Sequence, residues 1–327
     1  MVRNLIADPT WPNKARAGQD AEIRPCLRCL DCLARMQTTQ SFACAVNPRT
    51  GYETRLDMEY CHQPVRKKKV LIVGGGPAGL QAAATAARRG HKVLLAERTD
   101  KLGGLLTYAD YDPQKQDLKR LKDYLIHRAT TSGAEIKLKT VVNPAFVASF
   151  KPDALLVAAG SRPRTLPIPG MELARHVMDV YPRPETLGLR VVVLGGGLAG
   201  CEAALFLANM GKEVHLVEMQ DSLAPDANWM HRTALLQALA DTTIQVHTGL
   251  RCTAITADGV ETVDQDGQAV TLPAHSVVYA LGMIARHEQA DGFRALGIPE
   301  TRVLGDCNKV GQVNEAIFDG YFAAMDL

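Results

Sequence analysis

The chain has no run of the ~18 apolar residues that a membrane-crossing helix needs. Its opening, MVRNLIADPTWPNKARAGQD, lacks the apolar core of an export signal. Together these absences point to a reducing cytoplasm. An excess of one charge is missing too: the formal net charge of +2 predicts neither nucleic-acid wrapping nor strong attraction to a membrane. The single basic run, Arg66–Lys69, reads as a solvated lead-in to a strand. Eight cysteines in a 327-residue chain without an export signal do not suit a disulfide scaffold, so they are expected as ligands or buried thiols.

What is present begins with a repeat. KVLIVGGGPAGLQAAATAARRGHKVLLAE reads as a strand (Val70–Val73), a tight turn, an Ala-rich helix (Leu80–Arg89) ended by Gly90, and a second strand from Val93 to Ala96. The pattern returns about 120 residues later as RVVVLGGGLAGCEAALFLANMGKEVHLVE, Arg190–Glu218. Between the copies, LLVAAGSRPRTLPIPG (Leu155–Gly170) reads as a buried strand and a Pro-rich domain crossing. Val260–Ala274 alternates like short antiparallel strands, and SVVYALG (Ser276–Gly282) mirrors the first crossing.

The first loop places Gly74, Gly76 and Gly79 in G-x-G-x-x-G spacing. That spacing suits a tight turn, close approach of backbone to a pyrophosphate, and close helix–strand packing beside a positive helix N-terminus. Glu97 ends the second strand, where a carboxylate accepts hydrogen bonds from ribose hydroxyls. Gly195, Gly197, Gly200 and Glu218 repeat the arrangement. Glu218 repels a 2′-phosphate and no Arg sits beside it, which favours NADH over NADPH; remote Arg251 is the residue that could reverse the preference.

Half of the cysteines stand in one stretch, CLRCLDCLARMQTTQSFAC: Cys26, Cys29 and Cys32 at two-residue gaps, then Cys44 after eleven more residues. Thiolates are soft ligands for iron–sulfur centres or zinc. Zinc sites usually draw on two separate C-x-x-C pairs, so three cysteines sharing two short gaps fit a [4Fe–4S] cube better. Zinc and plain thiols remain the alternatives. Arg24, Arg28 and Arg35 are expected to offset the charge of such a cluster. Cys201 is expected as buried packing, and Cys61, Cys252 and Cys307 as structural; His62, His215 and His275 read as surface or packing residues.

The tandem units divided by LLVAAG and VVYALG resemble the two-dinucleotide-domain flavoproteins of glutathione-reductase architecture. The fold class expected is α/β, with two Rossmann-like domains, the second inserted in the first, and an irregular N-terminal iron–sulfur arm. The boundaries expected are 1–65 for the arm, 66–168 with 283–327 for an FAD domain, and 169–282 for an NAD(H) domain. The resemblance adds Gly305 and Asp306 as a ribityl contact and the helix start at Asn314–Ile317, with Ala316, facing the flavin. Gly104 and Leu105 stand where relatives carry Gly-Gln. Pro77, Ala78, Arg98 and the crossing glycines Gly160 and Gly282 complete the cofactor-binding set. No C-x-x-C or C-x4-C pair lies in either nucleotide unit, which argues against disulfide reduction.

The segment Cys26–Glu53 and the lead-in Arg3–Gly18 resemble, more narrowly, the iron–sulfur region of the trimethylamine dehydrogenase and 2,4-dienoyl-CoA reductase family. Those enzymes carry an FMN-binding barrel first. A (β/α)8 barrel needs ~250 residues, and only about 65 precede the first nucleotide strand. The resemblance therefore implies an electron-transfer subunit that joins NADH, FAD and a [4Fe–4S] cluster to an FMN-barrel partner acting on an enoyl, enone or amine substrate. The assembly expected is hetero-oligomeric, without nucleic acid or membrane. Two alternatives keep the fold: an idle ADP- and cluster-bearing scaffold, and a free-standing NADH diaphorase. A third, from a different class, is a zinc-stabilised sensor of NADH. No catalytic acid or base is assigned.

Overall fold

The computed structural model describes residues 2–38, 41–59 and 66–327. Cys61 and His62 lie outside the described residues. The N-terminal arm carries four short helices: α1 (Val2–Ala7), α2 (Trp11–Arg16), α3 (Asp31–Met36) and α4 (Glu53–Glu59). Each has only six or seven residues, too few to leave a sustained apolar period, which is why the sequence reads as irregular there.

The first nucleotide unit follows with β1 (Lys69–Val73), α5 (Pro77–Arg88), β2 (Lys92–Ala96), α6 (Gln116–Thr130), β3 (Glu135–Lys137), α7 (Pro144–Phe150), β4 (Ala154–Val157) and β5 (Ser161–Pro163). The second comprises β6 (Arg175–His176), α8 (Val177–Val180), β7 (Arg190–Leu194), α9 (Leu198–Asn209), β8 (Glu213–Val217), α10 (Trp229–Ala240) and β9 (Gln245–His247). It continues with β10 (Arg251–Thr256), β11 (Gly259–Val263), β12 (Ala269–Pro273), β13 (Ser276–Tyr279) and β14 (Met283–Ala285). The chain then adds α11 (His287–Arg294), β15 (Glu300–Val303) and α12 (Val313–Met325).

Two parallel five-stranded sheets result, in the orders β15-β4-β1-β2-β3 and β6-β13-β7-β8-β9. In the first, Ile72 faces Leu95 and Leu156; in the second, Val193 faces Leu216 and Val278. Leu71, Ile72, Leu155 and Leu156 are fully buried, as continuous apolar runs in doubly covered strands should be. Each such side chain contributes about 1.5–3 kcal/mol by leaving water. An antiparallel meander, β10-β11-β12, covers one face of the second sheet through Ile255, Val260 and Leu272.

The chain forms two compact units: Met1–Asp110 with Lys115–Arg162 and Ala285–Leu327, and Pro163–Ile284 with Tyr111–Gln114. The arm packs within the first. Among the described residues, no helix is long and apolar enough to cross a membrane.

Candidate functional site

At the end of β1, Gly74 adopts φ +106°, and a Cβ there would stand 2.3 Å from the Ala158 carbonyl oxygen. A Cβ on Gly79 would stand 1.9 Å from the Gly74 oxygen, so both positions are fixed by the turn itself. Gly76 differs. Its backbone is extended (φ −78°), and the nearest atom to an added Cβ is Gly104 Cα at 3.9 Å. Nothing in the protein demands glycine there, and the vacant volume lies at the N-terminus of α5, where Pro77 occupies the first helical turn. A pyrophosphate fits that cradle, with helix N–H groups and partial positive charge directed at it. Ala78 is buried behind it.

The second loop reproduces this geometry. Gly195 has φ +102°, a Cβ on Gly200 would lie 1.7 Å from the Gly195 oxygen, and one on Gly197 would meet nothing within 4 Å. The crossing glycines Gly160 (φ +72°) and Gly282 (φ +86°) are likewise bordered by open space.

Glu97 and Glu218 do more than tip their strands. Glu97 Oε2 accepts the Gly75 amide at 2.7 Å, and the Thr99 amide and hydroxyl sit 2.8 and 2.9 Å from Oε1. Glu218 Oε2 accepts the Gly196 amide at 2.6 Å, and Oε1 the Gln220 amide at 2.8 Å. Each acid therefore braces the middle glycine of its own loop across 22 residues. No composition or spacing signal in one chain announces that bond. Arg98 is exposed, and with Arg162 it lies near Arg286, whose pKa falls through burial and then through these two like charges.

The other residues expected beside a cofactor lie in the first unit. Gly305 (φ +60°) sits 3.1 Å, measured from a notional Cβ, from Ala78, and its amide donates to Asp319 at 2.9 Å. Asp306 accepts from the Ser161 hydroxyl at 2.9 Å and the Gly311 amide at 3.3 Å. Ala316 is half-buried on α12, while Leu105 is 42% exposed and presents no polar group. At the start of α12, Asn314 Oδ1 is buried and accepts no hydrogen bond from the described residues. A buried acceptor in that state is satisfied by a water or by a donor on a ligand. The sequence located the helix start but gave no sign of this orphaned atom.

Cys26, Cys29, Cys32 and Cys44 line one recess, walled by Ile6, Leu27, Leu30, Ala45 and Val46 and edged by Arg3 and Arg28. Among the described residues, no three His, Cys, Asp or Glu side chains converge closely enough for a single metal ion. A cube spreads its thiolates over four different irons, whereas zinc draws four sulfurs to about 2.3 Å. Either centre would draw on these four soft thiolates, and the preference for a cube rests on their spacing in the sequence. The loop curls through Arg28 (φ +55°) and Leu30 (φ +60°), a left-handed conformation rare outside glycine, and the Arg28 amide donates to Cys26 Sγ at 3.4 Å. Such curled backbone turns N–H groups inward to form an anion-receiving nest. Burial pushes the Cys29 thiol up to about 11 and raises those of Cys32 and Cys44.

Arg28 Nε pairs with Asp117 at 2.6 Å, Arg35 Nε with Asp31 at 2.9 Å, and Arg24 reaches Asn47 Oδ1 at 2.8 Å. Arg28 also lines the recess and is drawn electrostatically to Cys26. Cys201 is fully buried, donates to the Gly196 carbonyl, and has its pKa pushed up to about 12 by burial; Cys307 is likewise buried against the Val157 carbonyl. Both are packing thiols. His215 and His247 form a ring-to-ring hydrogen bond of 3.0 Å.

Residues 68–315 match the family described as pyridine nucleotide-disulphide oxidoreductase. The chain is 37% identical to an NADH oxidase of Thermoanaerobacter brockii over 99% of this chain and 51% of that protein. It is 35% identical to a cinnamate reductase of Clostridium sporogenes over 99% and 49%. A solved 2-naphthoyl-CoA reductase, bound to 2-naphthoyl-CoA, superposes with a TM-score of 0.93 at 31% identity, covering 99% of this chain and 50% of that one. The chain thus spans about half the length of the relatives it matches. With both glycine loops, both acids and the matched region in agreement, the chain belongs to the pyridine nucleotide-disulphide oxidoreductase family, whose members are NAD(P)H-dependent flavin oxidoreductases.

Proposed function

We propose that this chain is the electron-input unit of a larger oxidoreductase. NADH binds at Gly195–Gly200, FAD at Gly74–Gly79, and a [4Fe–4S] cluster at Cys26, Cys29, Cys32 and Cys44; an FMN-binding barrel on a partner chain receives the electrons. The observation that carries this reading is continuity: Cys26, Leu27 and Cys44 belong to one apolar cluster with Ala78, Val313 and Ala316. Residues of both proposed sites thus pack into the same apolar core.

When bound, FAD supplies the conversion between paired and single electrons that joins a hydride donor to a one-electron cluster. The chain's own residues position and insulate. The N-termini of α5 and α9 hold the two pyrophosphates against Gly76 and Gly197. Asp306 retains lone pairs for a ribityl hydroxyl, and Asn314 Oδ1 offers an acceptor to a ring N–H. Glu218 accepts ribose hydroxyls and disfavours a 2′-phosphate. Ile6, Leu30 and Val46 give the cysteines apolar walls.

The relatives' names, cinnamate reductase and 2-naphthoyl-CoA reductase, favour a partner that reduces a conjugated carbon–carbon bond. An anaerobic NADH titration of the FAD-loaded full chain tests the reading. Flavin and iron–sulfur absorbance should bleach together. A flavin left oxidised by excess NADH would overturn it.

A further inference from the structure

The recess-forming cysteines sit on two separate pieces of chain, and something must set the gap between them. Cys26 follows Arg24 by two residues, and Cys44 precedes Asn47 by three. Those two residues meet: an Arg24 Nη1–H donates to Asn47 Oδ1 at 2.8 Å and reaches the Ala7 carbonyl at 3.4 Å. The other end of the Asn47 amide donates to the Ile6 carbonyl at 2.9 Å, where the Thr50 hydroxyl also donates at 3.2 Å. Asn47 Oδ1 accepts the Arg49 amide as well, at 3.2 Å. A second knot lies just upstream. Asp8 accepts the Arg24 amide at 2.9 Å, the Lys14 ammonium at 2.5 Å and the Thr10 amide at 3.1 Å.

Asn47 is 3% and Asp8 4% exposed, so water does not compete for these bonds. All of them run between protein groups, and none passes through a cysteine.

We infer that Asn47 is the positioning residue of the cysteine recess: it ties the Cys26 segment and the Cys44 segment to the end of α1 and sets the gap between them. This rests on the iron–sulfur reading above for the identity of the contents, but not for the clamp itself. The Asn47 backbone amide hydrogen-bonds the Cys44 thiol, while its side chain acts by way of Arg24 on the Cys26 segment.

The test uses the full chain prepared anaerobically with FAD. Asn47→Leu removes every bond of the amide; Asn47→Asp keeps the acceptor for Arg24 and Arg49 while losing the donor to Ile6. Asn47→Leu should lower iron per chain about tenfold or more, as loss of a supporting shell does. The iron that remains should have an altered electron paramagnetic resonance spectrum, with FAD content and NADH-driven flavin reduction unchanged. Asn47→Asp should fall between. An Asn47→Leu protein with parental iron content and spectrum would overturn the inference.

If the parent itself holds no iron, the cluster reading fails while the clamp stays testable by hydrogen exchange in the metal-free chain. Parental amides of Arg24 and Arg49 should be protected, and Asn47→Leu should lose that protection about tenfold, the loss expected when a buried polar group is left unpaired. Equal exchange in the two proteins, or no protection in the parent, would sink the clamp.

Discussion

The two nucleotide loops are near copies, yet their surroundings differ. Gly74 and Gly195 share φ values of +106° and +102°, and each loop is braced by the acid 22 residues beyond its middle glycine. In the first unit that acid, Glu97, is 9% exposed and crowded by three of its own chain's groups; in the second, Glu218 is half-buried and takes two amides. The first loop is roofed by α12, whose Gly320 lies so close that a Cβ would stand 2.2 Å from the Ala78 oxygen, and its core extends to the cysteines. The second unit's sheet is backed by a small meander. One strand–turn–helix thus serves two purposes. Enclosure suits a resident cofactor, and openness suits one that comes and goes.

The largest expected effect separates outlet from inlet. Cys29→Ser should abolish electron delivery to the partner while leaving flavin reduction by NADH intact, measured by stopped-flow absorbance; loss of both would break the assignment of the recess to the outlet. Next, Gly200→Ala forces a Cβ against a backbone carbonyl, so NADH reduction should drop about 100-fold, as for a 1 Å misplacement of substrate, with bound FAD retained. The open glycines should behave more gently: Gly197→Ala should cost NADH affinity about tenfold without changing thermal stability, because the added methyl meets only ligand. Glu218→Ala should weaken NADH more than NADPH by a few-fold, read as a ratio of KM values; equal losses would remove the coenzyme preference.

The smallest effect is a difference in acid response. In the second unit, burial lowers the pKa of His176, His215 and His247, with Arg190 adding to His215 and His215 adding to His247. These rings bind protons more readily unfolded than folded, so stability falls as pH drops below ~6.5. In the first unit, Asp8 and Glu22 resist the upward pull of burial because Lys14 and Arg24, and His127 and Arg128, hydrogen-bond their carboxylates and lower their pKa. That contribution persists until pH falls through the lowered carboxylate values. His91, depressed by burial, works the other way there, but is the one such histidine among the unit's described residues. Hydrogen exchange between pH 7 and 4 should therefore show the second unit loosening first.

Much of this was legible in the residues. Apolar runs, glycine spacing and terminal acids specify both Rossmann-like units, because strand burial and loop sterics are local properties. The cysteine spacing brought all four thiols to one recess. Long-range polar geometry was not legible. The Glu97–Gly75 brace, the orphaned Asn314 oxygen and the Asn47 clamp depend on contacts between distant segments, and no periodicity encodes them. The Arg28–Asp117 pair was hidden for the same reason, since 89 residues separate its partners.

The central claim is that Cys26, Cys29, Cys32 and Cys44 hold an iron–sulfur outlet beside the flavin. Counting iron and acid-labile sulfide in anaerobically prepared full chain tests it most directly. About four of each per chain are predicted, falling sharply in Cys29→Ser. FAD-replete protein with neither iron nor sulfide would contradict the account.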